Sequence, residues 1–163
     1  MDNRLKALKM AMQLEEDGRA FYLKAAERTS SKHGREMFLS LADDEERHLR
    51  LLQKQCDAVT EGQCFLRLPE IGDIDPQWDE PLFPRDPDLF SKAVSPDASD
   101  TDALLFAIQL ENKSFELYRQ LARETSDAAG SEMFRWLASV ERGHFNILML
   151  NYESLLNSGS WAN

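Results

Sequence analysis

Leu41-Ala42-Asp43-Asp44-Glu45-Glu46-Arg47-His48 and Leu137-Ala138-Ser139-Val140-Glu141-Arg142-Gly143-His144 are the two stretches that decide the fold. Both read Leu-Ala-x-x-Glu-x-x-His, and they lie 96 residues apart. Shifting the chain by 96 aligns residues 7–52 with 103–148 without a gap, and 19 of the 46 positions are identical. The matches include Leu14-Glu15 with Leu110-Glu111, Tyr22 with Tyr118, Thr29-Ser30 with Thr125-Ser126, and Gly34 with Gly130. Glu36-Met37-Phe38 likewise pairs with Glu132-Met133-Phe134. One structural unit is written twice.

Helical periodicity fills both copies. It predicts helices over residues 3–29, 32–61, 99–125 and 128–156, all free of proline and rich in Leu, Ala, Glu, Lys and Arg. Turns around residues 30–34 and 126–130 are short, which makes each pair of helices antiparallel neighbours. Between the pairs lies a non-helical stretch holding all six prolines: Pro69, Pro76, Pro81, Pro84, Pro87 and Pro96. Its apolar residues Phe65, Leu68, Trp78, Leu82, Phe83 and Phe90 suit an ordered crossover laid on the bundle surface. Ser99-Asp100-Thr101-Asp102 then supplies a cap and an acidic first turn for the third helix. The expected architecture is all-α. One domain spans residues 1–163, with hairpin one at about 3–61, the crossover at about 62–98 and hairpin two at about 99–158.

The apolar stripe of each helix carries an interruption. Glu15 falls among Leu8, Ala11, Met12, Tyr22, Ala25 and Ala26, and Glu111 among Leu104, Ala107, Ile108, Tyr118, Leu121 and Ala122. Glu45 and His48 fall between Leu41, Ala42, Leu49 and Leu52, and Glu141 and His144 between Leu137, Ala138, Phe145 and Leu148. Four carboxylates converging in a core would each lose several kcal/mol of solvation and would repel one another. Two divalent cations answer that problem, since their +4 cancels the carboxylates' −4 while two neutral imidazoles add nitrogen ligands. Residues three apart on a helix have Cβ atoms about 5–6 Å apart, so one Glu-x-x-His addresses one ion while its Glu reaches toward a second. The competing reading is a buried Glu/His network without metal, which leaves the carboxylates poorly compensated. A Glu from each of two helices plus Glu-x-x-His from each of the others is the ligand pattern of ferritin-like di-iron and di-manganese bundles.

The expected ligands are therefore Glu15, Glu45, His48, Glu111, Glu141 and His144, with Glu45 and Glu141 as bridges, Glu15 and Glu111 as terminal carboxylates, and one histidine on each ion. Two iron ions are the expected occupants; an iron–zinc pair, zinc or manganese are the alternatives. Tyr22 and Tyr118 share the face of Glu15 and Glu111, either packing beside the site or hydrogen-bonding a ligand carboxylate. Asp43, Asp44 and Glu46 read as a solvated face, and His33 as a solvated turn residue.

The formal net charge of −10 argues against nucleic acid or an anionic membrane as partner. The longest apolar runs, such as residues 103–108, are too short to span a bilayer, and the opening residues read as an amphipathic helix with no signal-peptide core, so a cytoplasmic location is expected. Cys56 and Cys64 form no Cys-x-x-Cys pair, which leaves free thiols as the expectation.

Leu14-Glu15-Glu16-Asp17-Gly18-x-x-Phe21-Tyr22-x-x-Ala25-Ala26-Glu27 and Leu41-Ala42-Asp43-Asp44-Glu45-Glu46-Arg47-His48 resemble the helix signatures of the rubrerythrin family, within the ferritin-like superfamily. The resemblance implies a non-haem di-iron oxidoreductase that reduces hydrogen peroxide, or oxidises ferrous iron with peroxide or dioxygen. It departs from the family in two places. Full-length rubrerythrins carry a four-cysteine rubredoxin-like domain that this chain lacks, so electrons would come from a separate donor protein. Family members also often carry an extra Glu one turn after the helix-three ligand, where this chain has Ser114, with Gly18 as its repeat mate. That makes the site more symmetric, as in bacterioferritins, and puts a ligand-exchange peroxidase mechanism in question. The non-catalytic alternative is an iron-binding, storage or structural metal protein. A homodimer, with or without exchanged helices, is the expected assembly.

Overall fold

The computed structural model describes residues 2–82 and 99–162. It contains four helices and, among the described residues, no strand: α1 (Asn3–Arg28), α2 (Lys32–Thr60), α3 (Asp100–Glu124) and α4 (Ala128–Ser158). α1 packs along α2, α3 along α4, and α1 also touches α3. Each helix starts on a side-chain cap that takes up an otherwise orphaned N–H. Asp2 accepts from Arg4 N, Ser31 from Gly34 N, Ser99 from Asp102 N and Asp127 from Gly130 N. Such a cap contributes about 1 kcal/mol. The caps correct one expectation. Gly34, Gly130 and His33 are not turn residues but lie in the first turns of α2 and α4, because Ser31 and Asp127 begin those helices.

The core is divided in two by a polar layer. Leu8 and Ala11 of α1, Leu51, Leu52, Cys56 and Val59 of α2, Phe115 and Tyr118 of α3, and Met133, Phe134 and Leu137 of α4 form one cluster. Phe21, Tyr22 and Ala25 of α1, Phe38 and Leu41 of α2, Leu104 and Ile108 of α3, and Phe145 and Leu148 of α4 form the other. On every helix the six predicted ligands fall between the two clusters. The apolar burial on both sides holds the helix registers that bring those side chains to one level.

Each cluster is closed by an aromatic plug, and the plugs obey the same 96-residue shift. Phe65, just after α2, packs on Gly130, and Trp161, just after α4, packs on Gly34. A Cβ on either glycine would stand 2.7 Å from the facing ring, so both positions need the absence of a side chain. Phe65 meets Phe134 edge-on at 6.0 Å, and Trp161 meets Phe38 edge-on at 6.0 Å. The segment bearing each plug is pinned by a buried amide. Gln55 Oε1 accepts from Leu66 N at 2.8 Å, and its Nε2 donates to Leu66 O at 2.8 Å and to Met133 Sδ at 3.5 Å. Asn151 Oδ1 accepts from Ala162 N at 3.1 Å, and its Nδ2 donates to Met37 Sδ at 3.3 Å. Because the plugs Phe65 and Trp161, the clamps Gln55 and Asn151, and the clamped residues Leu66 and Ala162 differ in identity, the repeat extends further in space than in letters.

The first part of the crossover lies on the bundle as expected. Leu68, Ile71, Trp78 and Leu82 pack against the core. Asp75 N donates to Ser139 Oγ at 3.0 Å, Arg119 pairs with Asp79 at 3.1 Å, and the Arg135 guanidinium sits 6.0 Å over Trp78. Phe83, Phe90, Pro84, Pro87 and Pro96, also assigned to the crossover, lie outside the described residues. Cys56 is buried, Cys64 is exposed, and both are free. No described helix is long and apolar enough to cross a membrane.

Candidate metal centre

All six predicted ligands meet in the polar layer and are almost wholly buried, with exposures from 0% for Glu15 and Glu141 to 4% for His48 and His144. They form two overlapping groups. Glu15, Glu45, His48 and Glu141 each offer a ligand atom within 4.8 Å of the others, and so do Glu45, Glu111, Glu141 and His144. Glu45 and Glu141 belong to both groups. Glu15 with His48, and Glu111 with His144, belong to one each. Each histidine turns Nδ1 inward: His48 Nδ1 lies 3.3 Å from Glu15 Oε2 and 3.6 Å from Glu141 Oε1. His144 Nδ1 lies 3.4 Å from Glu45 and Glu111 oxygens and 3.3 Å from Glu141 Oε2. The two rings stack at 6.1 Å, 18° from parallel.

The tyrosines take the sharper of their two readings, and they cross over. Tyr22 of α1 donates to Glu111 of α3, and Tyr118 of α3 donates to Glu15 of α1. Each hairpin therefore orients the terminal carboxylate of the other. Burial, and then the facing carboxylates, push both phenols well up, so they act as fixed donors.

Electrostatics splits the carboxylates into two kinds. Burial first, then repulsion from Glu141, Glu15 and Glu111, pushes Glu45 well up; burial and then Glu111 and Glu15 do the same to Glu141. Burial also acts to raise Glu15, but the His48 charge and hydrogen bonds that include the Tyr118 hydroxyl outweigh it and bring Glu15 down to about 2. Glu111 is lowered in the same way, with His144 and Tyr22 outweighing burial. Burial pulls both histidines down, yet Glu15 raises His48 and Glu111 with Asp44 raises His144 well above the usual range. The site thus sets two raised carboxyls, Glu45 and Glu141, beside two lowered ones, Glu15 and Glu111, each of which faces a raised imidazole.

These interactions leave bonding capacity unused. Glu45 Oε1, Glu111 Oε2, both Glu141 carboxyl oxygens and His144 Nδ1 are buried without a hydrogen-bond partner. Each such atom costs about 1–3 kcal/mol, so a native core retains them only for a reason. All five belong to the ligand set and point into one space. Hard oxygens with two imidazole nitrogens suit iron, manganese or zinc. The residues therefore fit a pair of metal ions.

Asp44 was not foreseen. Read from the sequence as part of a solvated face, it is half-buried, with Oδ2 3.0 Å from His144 Nε2 and Oδ1 3.2 Å from Arg47. The hydrogen bond to His144 pulls its carboxyl below the usual range. Its repeat mate is Val140, so matching letters between the halves could not reveal it; the one sequence signal was its place beside Glu45. A cavity of about 600 Å³ opens beside the centre, walled by His48, Trp136, Val140, Asp44, Arg47 and Lys54. Trp136 meets the His48 ring edge-on at 5.8 Å.

Four helices delivering four buried carboxylates and two imidazoles to one layer define a bundle with a carboxylate–histidine cluster that could hold metal ions. A family model described as a ferritin-like domain matches residues 3–151, and the chain belongs to that family. It is also similar to a solved structure described as a hypothetical protein from Pyrococcus furiosus, with a TM-score of 0.68 and 25% identity over 94% of this chain and 90% of that one. No curated protein matches the chain.

Proposed function

We propose that the protein is a rubrerythrin-like di-iron oxidoreductase, with Glu15, Glu45, His48, Glu111, Glu141 and His144 holding two irons. The observation that carries this reading is the set of five orphaned ligand atoms between two overlapping four-residue groups. Glu45 and Glu141 would be shared by the two ions, because of the six residues only they belong to both groups. Two ferrous ions bound there would supply the two electrons that reduce hydrogen peroxide to water.

The chain's own contribution is positional. Tyr22 and Tyr118 hold Glu111 and Glu15, so the terminal carboxylates need not reorganise during turnover. Asp44 holds the outer edge of His144. The apolar clusters on either side keep bulk water out of the layer. The cavity walled by His48 and Trp136 offers a small oxidant an approach to the centre. A separate donor protein is the proposed source of the reducing electrons.

Anaerobic loading with ferrous iron, followed by stopped-flow mixing with peroxide or with dioxygen, tests the proposal. Uptake of two irons per chain, oxidation faster with peroxide, and recovery by a reductant are expected. Mineral growth under oxygen would favour storage. A centre that takes up zinc and does not react once loaded with iron would leave a structural metal site.

A further inference from the structure

The geometry points to a built-in inequality between the two halves of the centre: Asp44 is a positioning residue that makes the His144 half the tighter cation position, while the His48 half is the weaker, exchangeable one. This rests on the di-metal reading above.

The six candidate ligands, both tyrosines and the plug positions correspond under the 96-residue shift, but the supports behind the two histidines do not. Behind His144 stands a chain of three groups: His144 Nε2 to Asp44 Oδ2 at 3.0 Å, then Asp44 Oδ1 to Arg47 at 3.2 Å. The same shift turns Asp44 into Val140 and Arg47 into Gly143, so His48 has no equivalent acceptor at that position. Its ring meets the edge of Trp136 instead, whose own repeat mate is Ser40, and it lines the open cavity.

A carboxylate accepting from Nε2–H fixes the imidazole tautomer that presents the Nδ1 lone pair inward, locks the ring plane and makes Nδ1 a stronger donor. Removing such a partner typically lowers metal affinity about 10–100-fold. Among the described residues His144 has this support and His48 does not, so the two positions differ in affinity by about that ratio. The weaker one adjoins the cavity, where an incoming ion or oxidant arrives.

Anaerobic titration of the full chain with Co²⁺, read by d–d absorption and calorimetry, tests this. The unmodified protein should fill in two steps separated by about 10–100-fold. His48→Ala should abolish the weaker step and keep the tighter, and His144→Ala should do the converse. Asp44→Asn should weaken the tighter step by about tenfold or more. Val140→Asp, which places an acceptor behind His48, should strengthen the weaker step, and it carries the test if Asp44→Asn fails to fold. Proton NMR of the Co²⁺-loaded protein gives a signature that a merely structural role would not move. One paramagnetically shifted imidazole N–H should exchange slowly with water, persist in His48→Ala and vanish in Asp44→Asn. Two equal steps in the unmodified protein, or an unaltered tighter step in Asp44→Asn, would overturn the inequality while leaving the di-metal reading intact. Failure of the unmodified protein to bind Co²⁺ at all would overturn both.

Discussion

The two hairpins agree where packing governs them and differ where chemistry reaches outward. At the bundle ends, glycine, plug, amide clamp and methionine recur in both halves, although Phe65 stands for Trp161 and Gln55 for Asn151. At the centre, the ligands and tyrosines recur, but Asp44, Arg47 and Trp136 have no chemical equivalent among Val140, Gly143 and Ser40. A close-packed end tolerates few solutions, since a displaced ring leaves a void or a clash. The shell around a metal position is freer, because several environments keep the ligands in place while altering their strength.

The largest effect separates bridging from terminal carboxylates. Glu141→Ala removes a residue common to both groups and should abolish binding of both ions, whereas Glu15→Ala or Glu111→Ala should leave one; metal analysis after anaerobic loading counts them. Binding at a hundredfold excess over Kd stabilises by about 2.7 kcal/mol per site. Chelation of the loaded protein should then lower Tm by roughly 10–20 °C, and Glu141→Ala should show no such drop.

A pH series sharpens the contrast between the metal-loaded and metal-free states. In the metal-free protein Glu45, Glu141, His48 and His144 all sit above their ordinary values. Between the ordinary and raised values the folded chain holds more protons than the unfolded one, so these groups make stability fall as pH rises. Glu15 and Glu111 act oppositely, but only at lower pH, where their depressed values lie. The Tm gap between loaded and metal-free protein should therefore widen from pH 5 to pH 8, and loading at pH 7 in weak buffer should release protons. A gap that narrows over this range would contradict the raised values of these four groups.

Smaller effects compare the two ends. Gly130→Ala drives a Cβ into Phe65, which is buried and joined to the crossover, and should cost about 1–3 kcal/mol. Gly34→Ala meets the half-buried Trp161, which has more room to yield, so its net cost should be smaller. Denaturant melts of both variants check the order. Smallest is the difference between Tyr22→Phe and Tyr118→Phe. Each loses a hydrogen bond to a buried carboxylate, about 1.5–3 kcal/mol, and the two losses should agree within about 0.5 kcal/mol if the crossed pair is symmetric.

The chain by itself determined the four helices, their pairing and the six inward-facing candidate ligands. These follow from a 3.6-residue period, short turns and a repeat, all of which are local or visible by sliding the sequence along itself. Tertiary structure alone decided the rest. That Tyr22 bonds Glu111 rather than its own helix's Glu15 depends on how α1 and α3 are rotated against each other. That Asp44 backs a histidine 100 positions away depends on the offset between α2 and α4. Gly34 and Gly130 looked like turn residues until the plugs showed why a helix would carry them. A side chain's partner across the bundle is fixed by helix rotation and offset, which the balance of packing over the whole core sets, and no window of sequence contains that balance.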